Sequence, residues 1–137
     1  MGAELRGVTP LLQVFDMPAA VHFYCDLLGF ELANHSPIVH GRDGEYFHWA
    51  MLRLNDITLM LNTAYDEGER PPAPDPARVV AHGDTALYFA CADVDGYYRR
   101  LRSLGVVAKE PAIMRYGMRE FGVTDPDGYH LNFQWPV

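Results

Sequence analysis

Residues 11–30 read LLQVFDMPAAVHFYCDLLGF, and residues 88–106 read YFACADVDGYYRRLRSLGV. Each stretch begins with an apolar run typical of a β-strand, reaches an aspartate, and continues in a helical pattern that ends at a glycine. The aspartate and the glycine are 13 residues apart in the first copy and 12 in the second. The chain therefore contains a repeated strand–helix unit, and the two copies differ by one residue.

The residues at the two ends of each helical pattern support this interpretation. Asp16 and Asp93 are good N-caps, because a short carboxylate accepts the free amide hydrogens of a first helical turn. Pro18 lies near the first helical positions, where its missing N–H costs little. Gly29 and Gly105 are suited to the left-handed conformation that ends a helix.

Strands are predicted after each helix. The strand pairs are 45–54 with 57–62, and 119–124 with 129–135. Asn55-Asp56 and the sequence DPDG at 125–128 are the turns between them, with proline early and glycine late in the second. One further short strand in each copy completes the order βαβββ. The predicted units are module one at about 8–62, a proline-rich linker or long loop at 63–83, and module two at about 84–137.

Composition bounds the function of this 137-residue chain. Its formal charge of −7 argues against binding to a phosphate backbone, which requires clustered Lys and Arg. The longest apolar run has seven residues, 86–92, whereas a membrane-spanning helix needs about 20. Cys25 and Cys91 are 66 residues apart without a CxxC motif, which favours neither a disulfide framework nor a zinc knuckle. We expect a cytoplasmic protein that binds neither nucleic acid nor a membrane.

Three stretches resemble the vicinal-oxygen-chelate superfamily, which includes glyoxalase I, bleomycin resistance proteins and extradiol dioxygenases. They are the strand, Asp cap and FYCDLLGFEL helix end within 14–32, the helix ADVDGYYRRLRSLGV at 92–106, and YGMREFGVTDPDGYHLNFQ at 116–134. The resemblance implies an α+β fold of two βαβββ modules, whose open curved sheets surround a pocket. It also implies a homodimer.

The resemblance places the superfamily's metal ligands, normally His, Gln or Glu, on the first and last strands of each module. The corresponding positions here are Thr9, either Thr58 or Met60, Ala86, and Asn132. None is a carboxylate or an imidazole, the groups that divalent metals of this class require. We therefore expect no metal and no other cofactor.

Strand alternation predicts which side chains face the pocket. The third strands contribute either His48 or Trp49 in module one, and either Arg119 or Phe121 in module two. Which side of each of these strands faces the pocket is left open. The predicted pocket residues are Gln13, His48, Trp49, Met60, Asn62, Tyr88, Tyr116, Phe121, His130 and Asn132. Such a mixture of aromatic, methionine and amide groups is typical of a small-molecule pocket, although several of these side chains also suit an ordinary filled core.

Three functions remain open. The first is a metal-free protein that resembles bleomycin resistance proteins and binds an aromatic or cationic organic molecule. The second is a metal-dependent lyase, isomerase or dioxygenase of the same superfamily, with non-standard ligands. The third is a non-catalytic structural dimer without a pocket. The sequence contains no recognisable Ser-His-Asp or Cys-His constellation and no glycine-rich phosphate loop, so we identify no catalytic residue.

Overall fold

The structure is a computed structural model that describes residues 2–42 and 44–137. Helix α1 spans Met17–Val21 and continues as a π-helical segment over His22–Leu27, α2 spans Pro76–His82, and α3 spans Val94–Ser103. The strands are β1 Leu11–Val14, β2 Glu31–His35, β3 Val39–Gly41, β4 Gly44–Tyr46, β5 Trp49–Leu54, β6 Ile57–Thr63, β7 Ala86–Ala90, β8 Ala112–Ile113, β9 Met118–Thr124 and β10 His130–Pro136. Among the described residues, no helix is long and apolar enough to cross a bilayer.

Two four-stranded curved sheets form the frame of the molecule. Their strand orders are β1-β6-β5-β2 and β7-β10-β9-β8. In each sheet the first strand pairs in parallel with the last, and the remaining pairs are antiparallel. The α+β fold of two βαβββ modules is thus confirmed. The short β3–β4 hairpin is an addition to the first module, and it divides the predicted strand at 45–54 into β4 and β5.

The two predicted helix starts and ends are confirmed. Asp16 accepts a hydrogen bond from the Ala19 amide at 3.0 Å, and Asp93 accepts one from the Gly96 amide at 3.0 Å. Beyond the helices, Gly29 has φ +96° and Gly105 has φ +86°. Left-handed conformations of this kind are those that glycine adopts without steric cost.

The one-residue difference between the repeats has a structural cause in the first helix. The Leu28 amide donates to the Phe23 carbonyl at 3.0 Å, five residues earlier, which is the hydrogen bond of a π-helix. A π-bulge inserts one residue into a helix. The first copy therefore accommodates its extra residue while its aspartate cap and its glycine end keep their places in the module.

The proline-rich segment 63–83 is not entirely a loop. It contains α2, which begins at a proline and is capped by Asp75, whose carboxylate accepts from the Ala77 amide at 3.0 Å. At its end, His82 Nδ1 lies 2.7 Å from the Asp127 carbonyl oxygen. A helix of seven residues is too short to show a clear hydrophobic period, so the expectation of an irregular segment is corrected here.

The apolar core fills the space between the sheets and the helices. It includes Leu12, Leu61 and Leu52 from the first sheet, and Leu131 and Phe133 from the second, all at most 3% exposed. These side chains alternate with outward-facing ones along their strands. Each sheet therefore has one core face and one face directed away from the core, which we call the open face.

The DPDG turn of the second module reaches back to the first module. Asp125 Oδ1 accepts from the amides of Asp127 and Tyr129, both at 2.9 Å, which fixes the turn. The Phe15 amide, immediately after β1, donates to Asp127 Oδ1 at 2.7 Å. Because these carboxylates are buried, the turn is part of the junction between the modules and not a solvent-exposed loop.

Candidate functional site: the open faces of the two sheets

Register within the second sheet defines its open face. His130, Asn132 and Gln134 of β10 lie opposite Ala86, Tyr88 and Ala90 of β7. On the other neighbour, β9, they lie opposite Thr124, Gly122 and Glu120. The intervening residues of β10, Leu131 and Phe133, are buried in the core. Hence the polar members of β10 all point away from the core.

The first sheet repeats this arrangement. Leu11 and Gln13 of β1 lie opposite Met60 and Asn62 of β6. Trp49 of β5 also lies opposite Asn62. Gln13, Trp49, Met60 and Asn62, predicted from alternation, thus share one face of one sheet, and the open parity in module one is resolved in favour of Trp49.

His48 occupies a different place from Trp49. It precedes β5 directly, and its Nδ1 lies 2.7 Å from the hydroxyl oxygen of Thr63. Its ring meets that of Tyr46 edge-on at 5.0 Å. The imidazole is therefore held at the end of the first sheet by Thr63 and Tyr46.

Phe121 is not on the open face of the second sheet, and its predicted pocket position is corrected. Its side chain is 2% exposed and stacks on Phe133 at 5.2 Å within the core. Since side chains alternate along β9, the neighbours that face outward are Glu120 and Gly122.

Tyr116 and Tyr88 lie near Glu120 on this open face. The Tyr116 hydroxyl donates to Glu120 Oε1 at 2.7 Å. This hydrogen bond, together with desolvation and the neighbouring Glu120 and Tyr88 groups, raises the pKa of Tyr116 to about 12. The phenol thus keeps its proton at neutral pH and serves as a hydrogen-bond donor.

Glu120, which was not among the predicted pocket residues, lies on this open face beside Gln134. Glu120 is only 6% exposed, and Gln134 Oε1 is buried without a hydrogen-bond partner in the described part of the chain. The two residues are directly opposite each other on β9 and β10. Counting outward from the DPDG turn along both strands would have found this pair. The open face of module two therefore holds two oxygen acceptors side by side.

The residues at the superfamily's metal positions do not form a ligand set. Thr9 and Thr58 bond to each other through their hydroxyls at 3.0 Å, and Ala86 has no donor atom. Across residues 2–42 and 44–137, no group of three or more His, Cys, Asp or Glu side chains is placed to hold a metal ion. A divalent cation does not fit this donor set.

The two thiols are poor candidates for nucleophiles. Burial raises the pKa of Cys25 and that of Cys91, and nearby aspartates act in the same direction through their charge. A raised pKa leaves less of the reactive thiolate at neutral pH. Neither cysteine is disulfide-bonded.

The open faces do not contain the larger cavity identified in the single chain. That cavity, of about 530 Å³, is a groove between the modules on the side of α3. A smaller space lies beside α2, between Phe15, Arg78 and Asp127. In one copy of the chain the open faces are thus broad surfaces that are separate from this groove.

Comparison with known proteins places this geometry among small-molecule-binding relatives. The family model described as Glyoxalase/Bleomycin resistance protein/Dioxygenase superfamily matches residues 8–133. A bleomycin resistance protein from Geobacillus stearothermophilus is 30% identical over 131 residues, covering 90% of this chain and 92% of that protein. A bleomycin resistance protein from Staphylococcus aureus matches with the same identity and coverage.

Solved structures agree in fold. TnmS3, an antibiotic-binding protein from a Streptomyces species, has a TM-score of 0.69 at 25% identity, with 99% of this chain and 100% of that chain covered. A bleomycin-binding protein complexed with bleomycin has a TM-score of 0.70 at 20% identity, with coverage of 97% and 100%. The chain belongs to the glyoxalase/bleomycin resistance protein/dioxygenase superfamily.

Proposed function

We propose that this protein binds and sequesters a small organic molecule of the antibiotic type, in the manner of bleomycin resistance proteins and without a metal ion. The observation that carries the proposal is the make-up of the open faces, where Tyr88 lies opposite Asn132 and Trp49 lies opposite Asn62 on neighbouring strands. Tyr88 is 57% exposed in the middle of a strand, where an aromatic ring is normally covered. The similarity to bleomycin resistance proteins along 90% of the chain supports the same function.

The chemistry of these faces favours an aromatic or cationic ligand. Trp49 and Tyr88 offer flat surfaces for stacking and for cation–π contacts. Gln13, Asn62 and Asn132 supply donors and acceptors that orient a ligand. The net charge of −7 attracts a cation over distance, with a strength that depends on salt.

A second copy of the chain completes the pocket in this proposal. Large apolar side chains are exposed on the open faces themselves: Leu11 is 43% exposed and Tyr88 is 57% exposed. Exposed apolar surface of this extent is typical of an interface. A two-fold dimer that brings open faces together would cover these groups and enclose the ligand. We place the dimer in the cytoplasm, where its two unpaired cysteines remain reduced.

Isothermal titration of the metal-free protein tests the proposal. The titrants are bleomycin and a set of cationic and neutral aromatic antibiotics, each with and without added Zn²⁺. We expect at least one of these compounds to bind without metal. The expected stoichiometry is one ligand for each pair of open faces that the dimer brings together. Tyr88→Ala should weaken that binding about tenfold, whereas Val107→Ala, at an exposed site outside the strands, should not change it.

Two results would contradict the proposal. Binding that appears only with stoichiometric metal would overturn the metal-free mechanism. Failure of every titrant, with the protein folded and dimeric by sedimentation, would overturn sequestration of this ligand class.

A further inference from the structure

Because the two modules are repeats of each other, they meet at two equivalent junctions whose connecting segments can be compared. At one, the turn after β1 meets the β9–β10 connection, which has five residues, 125–129. At the other, the turn after β7 meets the β5–β6 connection, which has only two, Asn55 and Asp56. The first junction is filled by the buried DPDG turn. The shorter connection leaves the second junction open, and the groove of about 530 Å³ lies there.

The size and floor of this groove suit an aromatic molecule. Ligand pockets typically have about 300–1,000 Å³. Phe89 and Phe133 line it as a stacked pair with centroids 5.1 Å apart, and Tyr97 meets Phe133 edge-on at 5.0 Å. Phe89 and Tyr97 are only half-buried, so a flat ligand has ring surface to contact.

One face of α3 supplies the polar groups of the groove. Asp93, Gly96, Tyr97 and Arg100 all line it, as their helical spacing requires. Two of these groups are already engaged. The Asp93 carboxylate caps the helix at the Gly96 amide, and the Tyr97 hydroxyl donates to the Leu28 carbonyl at 2.6 Å.

Arg100 is the remaining charged group on this face. Arg100 lines the groove together with Tyr97, and its charge opposes the rise in the Tyr97 pKa that burial causes. Among the described residues it forms neither an ion pair nor a side-chain hydrogen bond. A guanidinium is suited to paired hydrogen bonds with a carboxylate.

We propose that this groove is a second ligand site, separate from the open faces, which binds a planar aromatic carboxylate. The aromatic body lies against Phe89 and Tyr97, and the carboxylate pairs with Arg100. The site is on the core side of the second sheet, beside α3. It therefore differs from the proposed antibiotic site both in position and in the charge that it selects.

Cys91 gives a direct reporter of occupancy, because Cys91 is among the residues that line the groove and Cys25 is not. The experiment measures iodoacetamide alkylation of both thiols in the full chain by mass spectrometry, with 2-naphthoate as the probe. We expect 2-naphthoate to slow the alkylation of Cys91 at least threefold and to leave Cys25 unchanged. The neutral 2-naphthamide should require an about tenfold higher concentration to give the same protection of Cys91.

Matched variants of α3 test the role of the charge. Arg100→Gln should weaken the binding of 2-naphthoate about tenfold and leave the binding of 2-naphthamide unchanged. Arg99→Gln removes the adjacent exposed arginine, which does not line the groove, and should have no effect. Ala92→Trp, which fills the groove from its rim, should abolish protection by both probes.

Backbone NMR shifts on titration with 2-naphthoate provide a second readout that does not depend on thiol reactivity. Shifts centred on Cys91, Gly96 and Tyr97 support the proposal. Shifts centred on Tyr88 and Asn132, equal binding of the acid and the amide, or no shifts at millimolar probe would each overturn it. Shifts at Tyr88 and Asn132 would place the probe on the open faces, and none of the other results bears on antibiotic binding there, so the two proposals can be tested separately.

Discussion

The hydroxyl of Tyr24 donates a 2.6 Å hydrogen bond to Oδ2 of Asp125, which lies 101 residues further along the chain. Tyr24 is completely buried and Asp125 is 4% exposed. The bond joins the helix of one module to the DPDG turn of the other. Burial is the main cause that raises the pKa of Tyr24, followed by the charge of Asp125, so the phenol keeps its proton at neutral pH.

Replacing Tyr24 by phenylalanine should destabilise the protein. The change preserves the ring but leaves one buried carboxylate oxygen without its donor, which costs about 1–3 kcal/mol. Guanidinium denaturation of Tyr24→Phe measures this loss. Tyr98→Phe is the control, since the Tyr98 hydroxyl has no hydrogen bond among the described residues; its effect should stay within about 0.5 kcal/mol. Equal stabilities for the two variants would show that the Tyr24–Asp125 bond contributes nothing.

Asp127 predicts a pH dependence of stability. Burial raises its pKa from 3.8 to about 6, against the opposing hydrogen bond from the Phe15 amide. Between these two pH values the folded state binds more protons than the unfolded state, so stability falls as pH rises. The favourable contribution is complete below pH 3.8 and is lost as pH passes through about 6. The shift corresponds to at most about 3 kcal/mol.

Asp127→Asn tests this directly, because an amide oxygen can still accept from Phe15 but carries no charge. The variant should be more stable than the parent at pH 7.5 and should flatten the melting-temperature profile between pH 4 and pH 7. Asp56→Asn, in the exposed turn of the first module, should leave the profile unchanged. A parent profile without any fall through this range would contradict the argument.

The sequence was sufficient to predict the two modules because each contains its own start and stop signals. The aspartate caps, the terminal glycines and the DPDG turn are local features, and the structure confirms them. The β3–β4 hairpin and α2 were not predicted. Each is too short to show a hydrophobic period, and α2 is fixed partly by a contact with Asp127, which is 45 residues away from His82.

The candidate site was harder to predict, because each strand offers two faces and one residue of error exchanges them. Phe121 was assigned to the open face although it packs in the core. Glu120, which was not among the predicted pocket residues, is the neighbour that lies on the open face opposite Gln134. The strand order that brings β7 beside β10 is a long-range property, which explains why Tyr88 and Asn132 were predicted singly and not as direct neighbours. The roles of the remaining pocket residues stay predictions.

Trp49 should report ligand binding by its fluorescence. It is half-buried on the first open face opposite Asn62, and an aromatic ligand that stacks there would quench it. The chain has two tryptophans, so Trp135→Phe should retain the quenching and Trp49→Phe should remove it. The titrant is bleomycin or whichever antibiotic binds in calorimetry. Quenching that survives in Trp49→Phe would place the ligand elsewhere.

Removal of metal ions should change neither the thermal stability nor the ligand affinity of this protein. Thr9 and Thr58 satisfy each other, so the superfamily's metal positions provide no donor set that a divalent ion would stabilise. Dialysis against excess chelator should leave the melting temperature within about 1 °C and ligand affinity within twofold. Elemental analysis before dialysis should find well under one metal per chain. A chelator-dependent loss of stability that Zn²⁺ or Mn²⁺ restores would refute this expectation.

Tyr116→Phe tests how much the hydrogen bond from the Tyr116 hydroxyl to the Glu120 carboxylate contributes to the stability of the protein. Glu120 is 6% exposed, and Tyr116 gives it a 2.7 Å hydrogen bond. Loss of that bond should cost about 1–2 kcal/mol, because the carboxylate stays buried. The effect should be smaller in a Glu120→Gln background, where no charge needs a partner, and the double-mutant cycle of the two substitutions measures this coupling. Tyr46→Phe is the matched control, since the Tyr46 hydroxyl has no such partner among the described residues. Additive effects of Tyr116→Phe and Glu120→Gln would show that the two groups act independently. A ligand could then bind the oxygen acceptors of Glu120 and Gln134 without displacing Tyr116.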